Sequence, residues 1–207
     1  MARPRLDDST RDDVLDAVDQ LLGRYGYGKM SIADVAREAG IGKGTVYLFF
    51  PSKEELVLSA IDRIAERLLA QAQAIADGPG PVVLRLRRCL LLRVLARFDG
   101  AQTHTPSLDE LLAALRPALL QRREGHFHRE ARLLEKLLLE GRRQGDLSFQ
   151  GARATADALV TATNALLPYS LSLRELGERQ VIETRAARVT DLLIAGLRAE
   201  GPAKGPP

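Results

Sequence analysis

The residues best placed to do chemistry lie between Lys43 and Phe50. On a helical wheel of ~100° per residue, Val46, Phe49 and Phe50 share one arc and form an anchor. The opposite arc carries Gly44 and Leu48, flanked by Lys43 and Tyr47 on one side and Thr45 on the other. Lysine, threonine and tyrosine are donors suited to phosphate oxygens and to base edges. A glycine in the middle of an exposed face costs roughly 1 kcal/mol of helix propensity. That cost is rational where another surface must come close to the backbone. The plainer alternative is a small amphipathic helix with a solvated polar face.

The neighbouring elements have to hold that face outward. Ser31, followed by Asp34, is a capping-box pattern that starts a helix at Ile32. Ile32, Val35, Ala36 and Ala39 then recur at helical spacing. Gly40 ends this helix and Gly42 adds a second permissive position before a new helix begins near Lys43. Pro51 closes that helix, because its ring disfavours helix at Phe50. Two helices joined by a short glycine turn describe a helix-turn-helix, whose second helix enters the major groove of DNA. Ser52 with Glu55 forms a further capping box, opening a long fourth helix.

From about Val14 to Ile61 the sequence resembles the N-terminal domain of the TetR/AcrR family of bacterial transcriptional regulators. The resemblance rests on Ala17, Leu21 and Leu22 leading to Tyr25-Gly26-Tyr27, and on Ser31-Ile32, Val35-Ala36 and Ala39-Gly40-Ile41. It continues through Lys43-Gly44-Thr45-Val46-Tyr47, Phe50 and Ser52-Lys53-Glu54-Glu55-Leu56. Gly42 stands where serine is frequent, which removes a side-chain cap or phosphate contact. Leu48 stands where histidine or tyrosine is frequent, so base preference there leans on apolar contact, such as a thymine methyl group. The resemblance implies an all-α protein with three small N-terminal helices for DNA and a larger helical domain for ligand and dimerisation. It sets a DNA-binding domain at residues 1–51, an effector and dimerisation domain at 52–200, and a flexible tail at 201–207. It also implies a homodimer paired through the last two helices, a palindromic duplex as partner, release by a small-molecule effector, and repression as the usual mode.

With that frame, Lys43 and Thr45 are the expected base-edge contacts, with Gly44 allowing the approach and Leu48 adding an apolar contact. Tyr47 and Lys53 are expected on phosphates, Ser31 on a phosphate besides its capping role, and Lys29 as a weaker candidate. The arm Ala2-Arg3-Pro4-Arg5 reaches toward phosphates or a minor groove, or is a frayed terminus.

Charge by itself is a poor guide. The pI of about 9.2 fits a nucleic-acid partner, yet residues 1–60 hold eight Lys/Arg against ten Asp/Glu. The acids cluster at Asp7, Asp8, Asp12, Asp13, Asp16 and Asp19, so local geometry has to carry the DNA-binding expectation. The 207 residues lack tryptophan and contain one cysteine, Cys89, which excludes an intramolecular disulfide or a cysteine metal cluster. Neither a signal segment nor an apolar run of the ~18–20 residues that span a bilayer is visible. A soluble, cytoplasmic protein is expected.

The remainder reads as helices, about nine in all, with no alternating strand pattern. The first carries a stripe of Val14, Val18, Leu21, Leu22 and Tyr25. The fourth runs to about Ala76 and stops at Asp77-Gly78-Pro79-Gly80-Pro81. The fifth spans Val82 to Phe98, and a loop runs from Gly100 to Pro106. The sixth opens at Ser107 and is disturbed by Pro117, and a seventh around Leu133 to Leu138 ends near Gly145. The last two are Gly151 to Leu171 and Glu178 to Ala199. Leu159, Ala162 and Leu166 on one, with Ile182, Ala186, Val189, Leu193 and Leu197 on the other, form stripes available for dimerisation or for the monomer core. Polar groups set among apolar ones, Arg93 and Thr161, Thr163 and Asn164 before Tyr169, point to an effector pocket lined by Phe98, His104 and Phe127, the plainer alternative being ordinary packing with satisfied core polar groups.

Enzymatic readings fare poorly. His126 and His128 are two apart, on different sides of a helix, and no phosphate-cradling loop or nucleophile elbow is present. Cys89 sits in an apolar run and reads as a small core residue rather than a redox-sensing thiol. No catalytic residue, cofactor or metal is expected. The competing hypothesis is a helical ligand-binding or adaptor protein without DNA affinity.

Overall fold

The computed structural model describes residues 8–103, 105–167 and 177–198. Eight helices are described: α1 (Asp8–Lys29), α2 (Ile32–Glu38), α3 (Lys43–Phe49), α4 (Lys53–Ala76), α5 (Val82–Thr103), α6 (Thr105–Gln144), α7 (Ala152–Asn164) and α8 (Arg179–Ala195). Among the described residues the only extended pairing is an isolated bridge between Leu147 and Arg198. The fold is all-α, with the helix-turn-helix at the N-terminus and a helical remainder. None of the described helices is long and apolar enough to cross a membrane. The chain divides into two compact units, Met1–Glu66 with Ala101–Arg123, and Arg67–Gly100 with Glu124–Pro207.

The first unit is built around Val14, Val18 and Leu21 of α1, Val35 of α2, Val46 of α3 and Leu56 of α4, all buried. Leu111 and Leu115 of α6 join the same core. α1 is broken at Gly26, whose φ of 77° is open to a residue without a side chain. Tyr25 therefore leaves the stripe expected of it and is 55% exposed, while Met30 fills the core beyond the break. Polar clamps brace the unit. The buried Arg63 of α4 donates to Asp19 at 2.8 Å and to the Asp12 carbonyl at 3.0 Å, and pairs with Asp16 at 2.7 Å. Arg122 of α6 donates to both carboxylate oxygens of Glu55, at 2.7 and 2.6 Å, and to Asp62. Glu55 thus departs from the reciprocal capping role expected of it. Its backbone N–H still donates to Ser52 Oγ at 3.0 Å, but a stronger charged partner takes its carboxylate.

Several boundaries differ from those read in sequence. α5 continues through Gly100 to Thr103 and α6 starts at Thr105, so the described residues of the expected loop at 100–106 are helical. Pro106 is compatible with this, because a first helical turn has no N–H bond for proline to break. The expected sixth helix, disturbed by Pro117, and the expected seventh around Leu133 to Leu138 are one helix with the proline inside it. Buried Leu111 and Leu115 before the proline, with the Arg122 clamp after it, hold both sides in place despite the lost backbone bond. α7 ends at Asn164 rather than Leu171, before Pro168, and α8 ends at Ala195 with Gly196 as its C-cap.

The second unit packs Val82, Leu86 and Leu90 of α5 against Leu134 and Leu138 of α6, Leu159 of α7 and Ile194 of α8. Cys89 lies in this core, donating weakly to the Ala72 carbonyl at 3.5 Å. Burial pushes its thiol up to about 11, against the pull of Arg85, so the reactive thiolate is scarce near neutrality. The stripes read on the last two helices turn out to face inward. Leu159, Ile182 and Ala186 are buried in their own unit, and Leu193 and Leu197 pack against its core. Among the outward residues of α8 are Val181, Arg185, Arg188 and Leu192, the last 74% exposed.

Phe50 is 1% exposed in the first core. Phe50→Ala is expected to lower stability by ~3–5 kcal/mol in urea titrations, through lost burial and a residual cavity. A change below ~1 kcal/mol would show that the α3 anchor is not where it is placed here.

Candidate nucleic-acid interface

The site is built by two short helices and the turn between them. Ser31 caps α2: the Asp34 N–H donates to Ser31 Oγ at 3.2 Å, and the Ser31 N–H donates back to the Asp34 carboxylate at 3.1 Å. The Ser31 hydroxyl also donates to Asp34, at 2.6 Å. These bonds from Ser31 side chain and backbone, with Arg37 adding to them, hold the Asp34 carboxyl below its ordinary value. At the other end, Ile41 N–H donates to the Ala36 carbonyl at 2.9 Å and Gly40 N–H to Arg37 at 3.2 Å. This is a Schellman closure, with Gly40 at φ 68° in the position that disfavours a side chain. α3 then starts from Gly42 with no side-chain cap.

α3 is a two-turn helix anchored from one side. Val46 is fully buried, Phe50 follows it into the core, and Phe49 is half-buried at a ring distance of 6.1 Å from Phe50. The Arg11 guanidinium covers the Phe50 ring at 5.4 Å. Lys43, Gly44, Tyr47 and Leu48 are exposed, and Thr45 is intermediate. Leu48 is 68% exposed. A Cβ built on Gly44 would find nothing within 4 Å. The protein's own packing therefore does not require glycine there. The face is open, and the glycine makes it shallower still.

Lys53, at the start of α4, lies beside this face in sequence but is tied to the end of α1. Its ammonium sits 4.3 Å from the centre of the Tyr27 ring and 3.5 Å from the Gly28 carbonyl. Partial burial pulls it below the usual lysine value, with Glu110 pulling the other way. Lys43 lies 5.9 Å from the Tyr47 ring. Sequence reasoning missed Tyr27, Arg11 and Glu110 as neighbours of these groups. Each reaches its partner across more than twenty residues of chain, where periodicity carries no signal.

Three of the residues suggested for an effector pocket, Arg93, Phe127 and Asn164, belong to one polar network in the second unit. Arg93 donates to Glu130 at 2.7 Å, to Thr163 Oγ1 at 2.5 Å, to the Val160 carbonyl at 3.2 Å and to Asn164 at 2.8 Å. Arg97 reaches the other oxygen of Glu130. Phe127 lies under both guanidiniums, at 5.0 and 5.9 Å, and Phe98 is fully buried. His104 and Tyr169 lie outside the described residues. Burial alone would raise the Glu130 carboxyl, but the Arg97 and Arg93 charges outweigh it and hold it below the ordinary value.

Residues 14–60 match the family model for bacterial regulatory proteins of the tetR family. Over 178 residues the chain is 24% identical to the HTH-type transcriptional repressor KstR of Mycolicibacterium smegmatis, covering 84% of this chain and 85% of that protein. A stretch of 78 residues is 35% identical to the HTH-type transcriptional regulator EthR of Mycobacterium tuberculosis, covering 38% of this chain and 36% of that one. A transcriptional regulator of the TetR/AcrR family from Thermobifida fusca has the same fold, with a TM-score of 0.70 at 22% identity over 92% of this chain and 100% of that chain. Fold and site together define a helix-turn-helix, DNA-binding transcriptional regulator. The chain's N-terminal segment, residues 14–60, matches that of the TetR/AcrR family.

Two predictions concern the groups that hold these sites. Glu130→Gln leaves the buried Arg93 and the partly buried Arg97 guanidiniums short of their shared anion and is expected to cost ~3–5 kcal/mol at neutral pH. Because the folded carboxyl sits below its unfolded value, the wild-type contribution is complete above the usual glutamate range near ~4.3 and is lost as pH falls through the folded value. Denaturant midpoints across pH 3–7 (about that range) would reveal a smaller acid-side slope in the variant, and parallel curves would discount the network. By contrast, Leu48→Ala on the open face is expected to change stability by no more than ~0.5 kcal/mol, and a larger loss in thermal melts would mean that the leucine is packed.

Proposed function

We propose that this regulator is a repressor that binds a palindromic operator as a homodimer and is released by a small-molecule effector. The observation that carries the DNA contact is the open face around Gly44, bordered by Lys43, Thr45, Tyr47 and Leu48, with no side chain of the protein's own over Gly44. Lys43 and Thr45 read base edges, Gly44 allows the close approach, and Leu48 meets an apolar base feature such as a thymine methyl. Tyr47 and Lys53 hold phosphates. Ser31 does so only by exchanging the hydroxyl bond it gives to Asp34. In this reading residues 1–51 are the DNA-binding domain, 52–200 the effector and dimerisation domain, and 201–207 a tail.

Dimerisation follows from the economy of contacts, since one two-turn helix touches too few base pairs to specify a site, whereas two copies about one DNA turn or a multiple apart read a palindrome. The last two helices supply the interface. Support comes from the outward stripes: Ala154, Ala158 and Thr161 on α7 are small enough for close packing, and Leu192 on α8 is exposed. The effector occupies the region of Arg93, Phe98, Phe127 and Asn164. It acts only through its different affinities for operator-fitting and non-fitting states. Repression agrees with the name of the relative matched over most of both chains, a transcriptional repressor.

Selection of bound duplexes from a random pool is expected to return an inverted repeat, and failure to enrich any sequence would favour a helical ligand-binding or adaptor protein instead. On the selected duplex, Tyr47→Phe should weaken binding to all sequences alike. Thr45→Ala should cost ~1–3 kcal/mol and relax preference at one position of each half-site. Unchanged affinity in gel shifts would remove either residue from its role.

A further inference from the structure

The backbone N–H of Gly28 donates to Glu110 Oε2 at 3.1 Å. One residue's backbone thus meets two opposite charges, because the Lys53 ammonium lies 3.5 Å from the Gly28 carbonyl and over the Tyr27 ring beside it. A Cβ on Gly28 would fall 2.0 Å from Glu110 Oε1. The absence of a side chain at residue 28 is therefore what lets this carboxylate reach the N–H. Glu110 and Gly28 are both exposed, so the contact is not a core bond that the fold depends on. An exposed carboxylate gains little from a surface partner, and swinging it away costs little. The Glu110 charge is felt by both Lys53 and Tyr27.

An N–H donor and an ammonium gathered around one residue's backbone, with an aromatic ring beneath the ammonium, are elements of a phosphate subsite. We propose that Glu110 occupies this subsite in the free protein as an internal stand-in for a DNA phosphate, and that a bound duplex displaces it, taking the Gly28 N–H together with Lys53. The inference rests on the DNA-binding reading and adds to it a phosphate contact at Gly28 and a built-in competitor. Such a competitor lowers affinity for every duplex equally, since it opposes a backbone contact and no base. It therefore suppresses the sequence-independent part of binding, which is the part that traps a regulator away from its site.

The test compares wild type, Glu110→Gln, Lys53→Met and the double variant, binding the selected duplex and a scrambled one at low salt. Asp13→Asn, which removes the same charge from another exposed position of the unit, is the control. Glu110→Gln is expected to bind both duplexes tighter by on the order of fivefold, with Asp13→Asn gaining less than about half of that. In the Lys53→Met background the gain should fall below about twofold, because the cation over which carboxylate and phosphate compete is gone. No gain in Glu110→Gln, a gain on one duplex only, or the same gain without Lys53 would overturn the proposal. Hydrogen exchange at the Gly28 amide in the free protein supplies a readout independent of DNA. Glu110→Ala should speed it, and unchanged exchange sinks the contact itself. Binding by none of the variants would instead remove the DNA reading, while the exchange result still decided whether Glu110 holds Gly28.

Discussion

α3 is too short to stand alone. A helix of two turns cannot offset its own nucleation cost in water, and its buried contribution comes down to Val46, with Phe50 just beyond its end. Everything the open face can do depends on that one-sided anchor. Burying two adjacent turns of one edge leaves the other edge fully available, so a large exposed leucine and an unneeded glycine can sit there together. The constraint also explains the bracing nearby. The Schellman closure at Gly40 and the capping box at Ser31 set the angle at which α3 leaves α2, and Arg63 and Arg122 tie α4 to α1 and to α6.

Arginine is the recurring device in this chain, and it acts mostly within the fold. Arg63, Arg85 and Arg93 are buried among the described residues, and each has a carboxylate partner. A buried guanidinium without one would be prohibitive. This accounts for the weakness of net charge as a guide to the nucleic-acid interface. Net charge does not say which arginines face inward and which outward, and the recognition helix itself carries a single lysine. The same logic places Arg93, Glu130, Thr163 and Asn164 in one saturated cluster, where polar residues scattered over α5, α6 and α7 satisfy one another.

Local chemistry was legible in the sequence where it is decided over a few residues. The cap at Ser31, the glycine turn, the anchor of Val46 and Phe50, the start of α4 after Ser52 and its end near Ala76 all follow from spacing and propensity within a turn or two. Pro117 misled because a proline's lost hydrogen bond is a local cost, whereas the buried leucines and the Arg122 clamp that outweigh it are distant in the chain. Tyr25 misled for the converse reason: a backbone break at Gly26 altered which side chain met the core.

The order of residues alone thus determined that α2 and α3 form with a glycine turn between them, and that Gly44 lies opposite the anchor, since both are questions of period and of short-range sterics. Only the tertiary structure decided which face of α8 turns outward, that Glu55 answers to Arg122, and that Lys53, Gly28 and Glu110 meet. These contacts join segments up to eighty-two residues apart. Their geometry depends on how whole helices pack, and helical periodicity marks an apolar stripe without naming what will cover it.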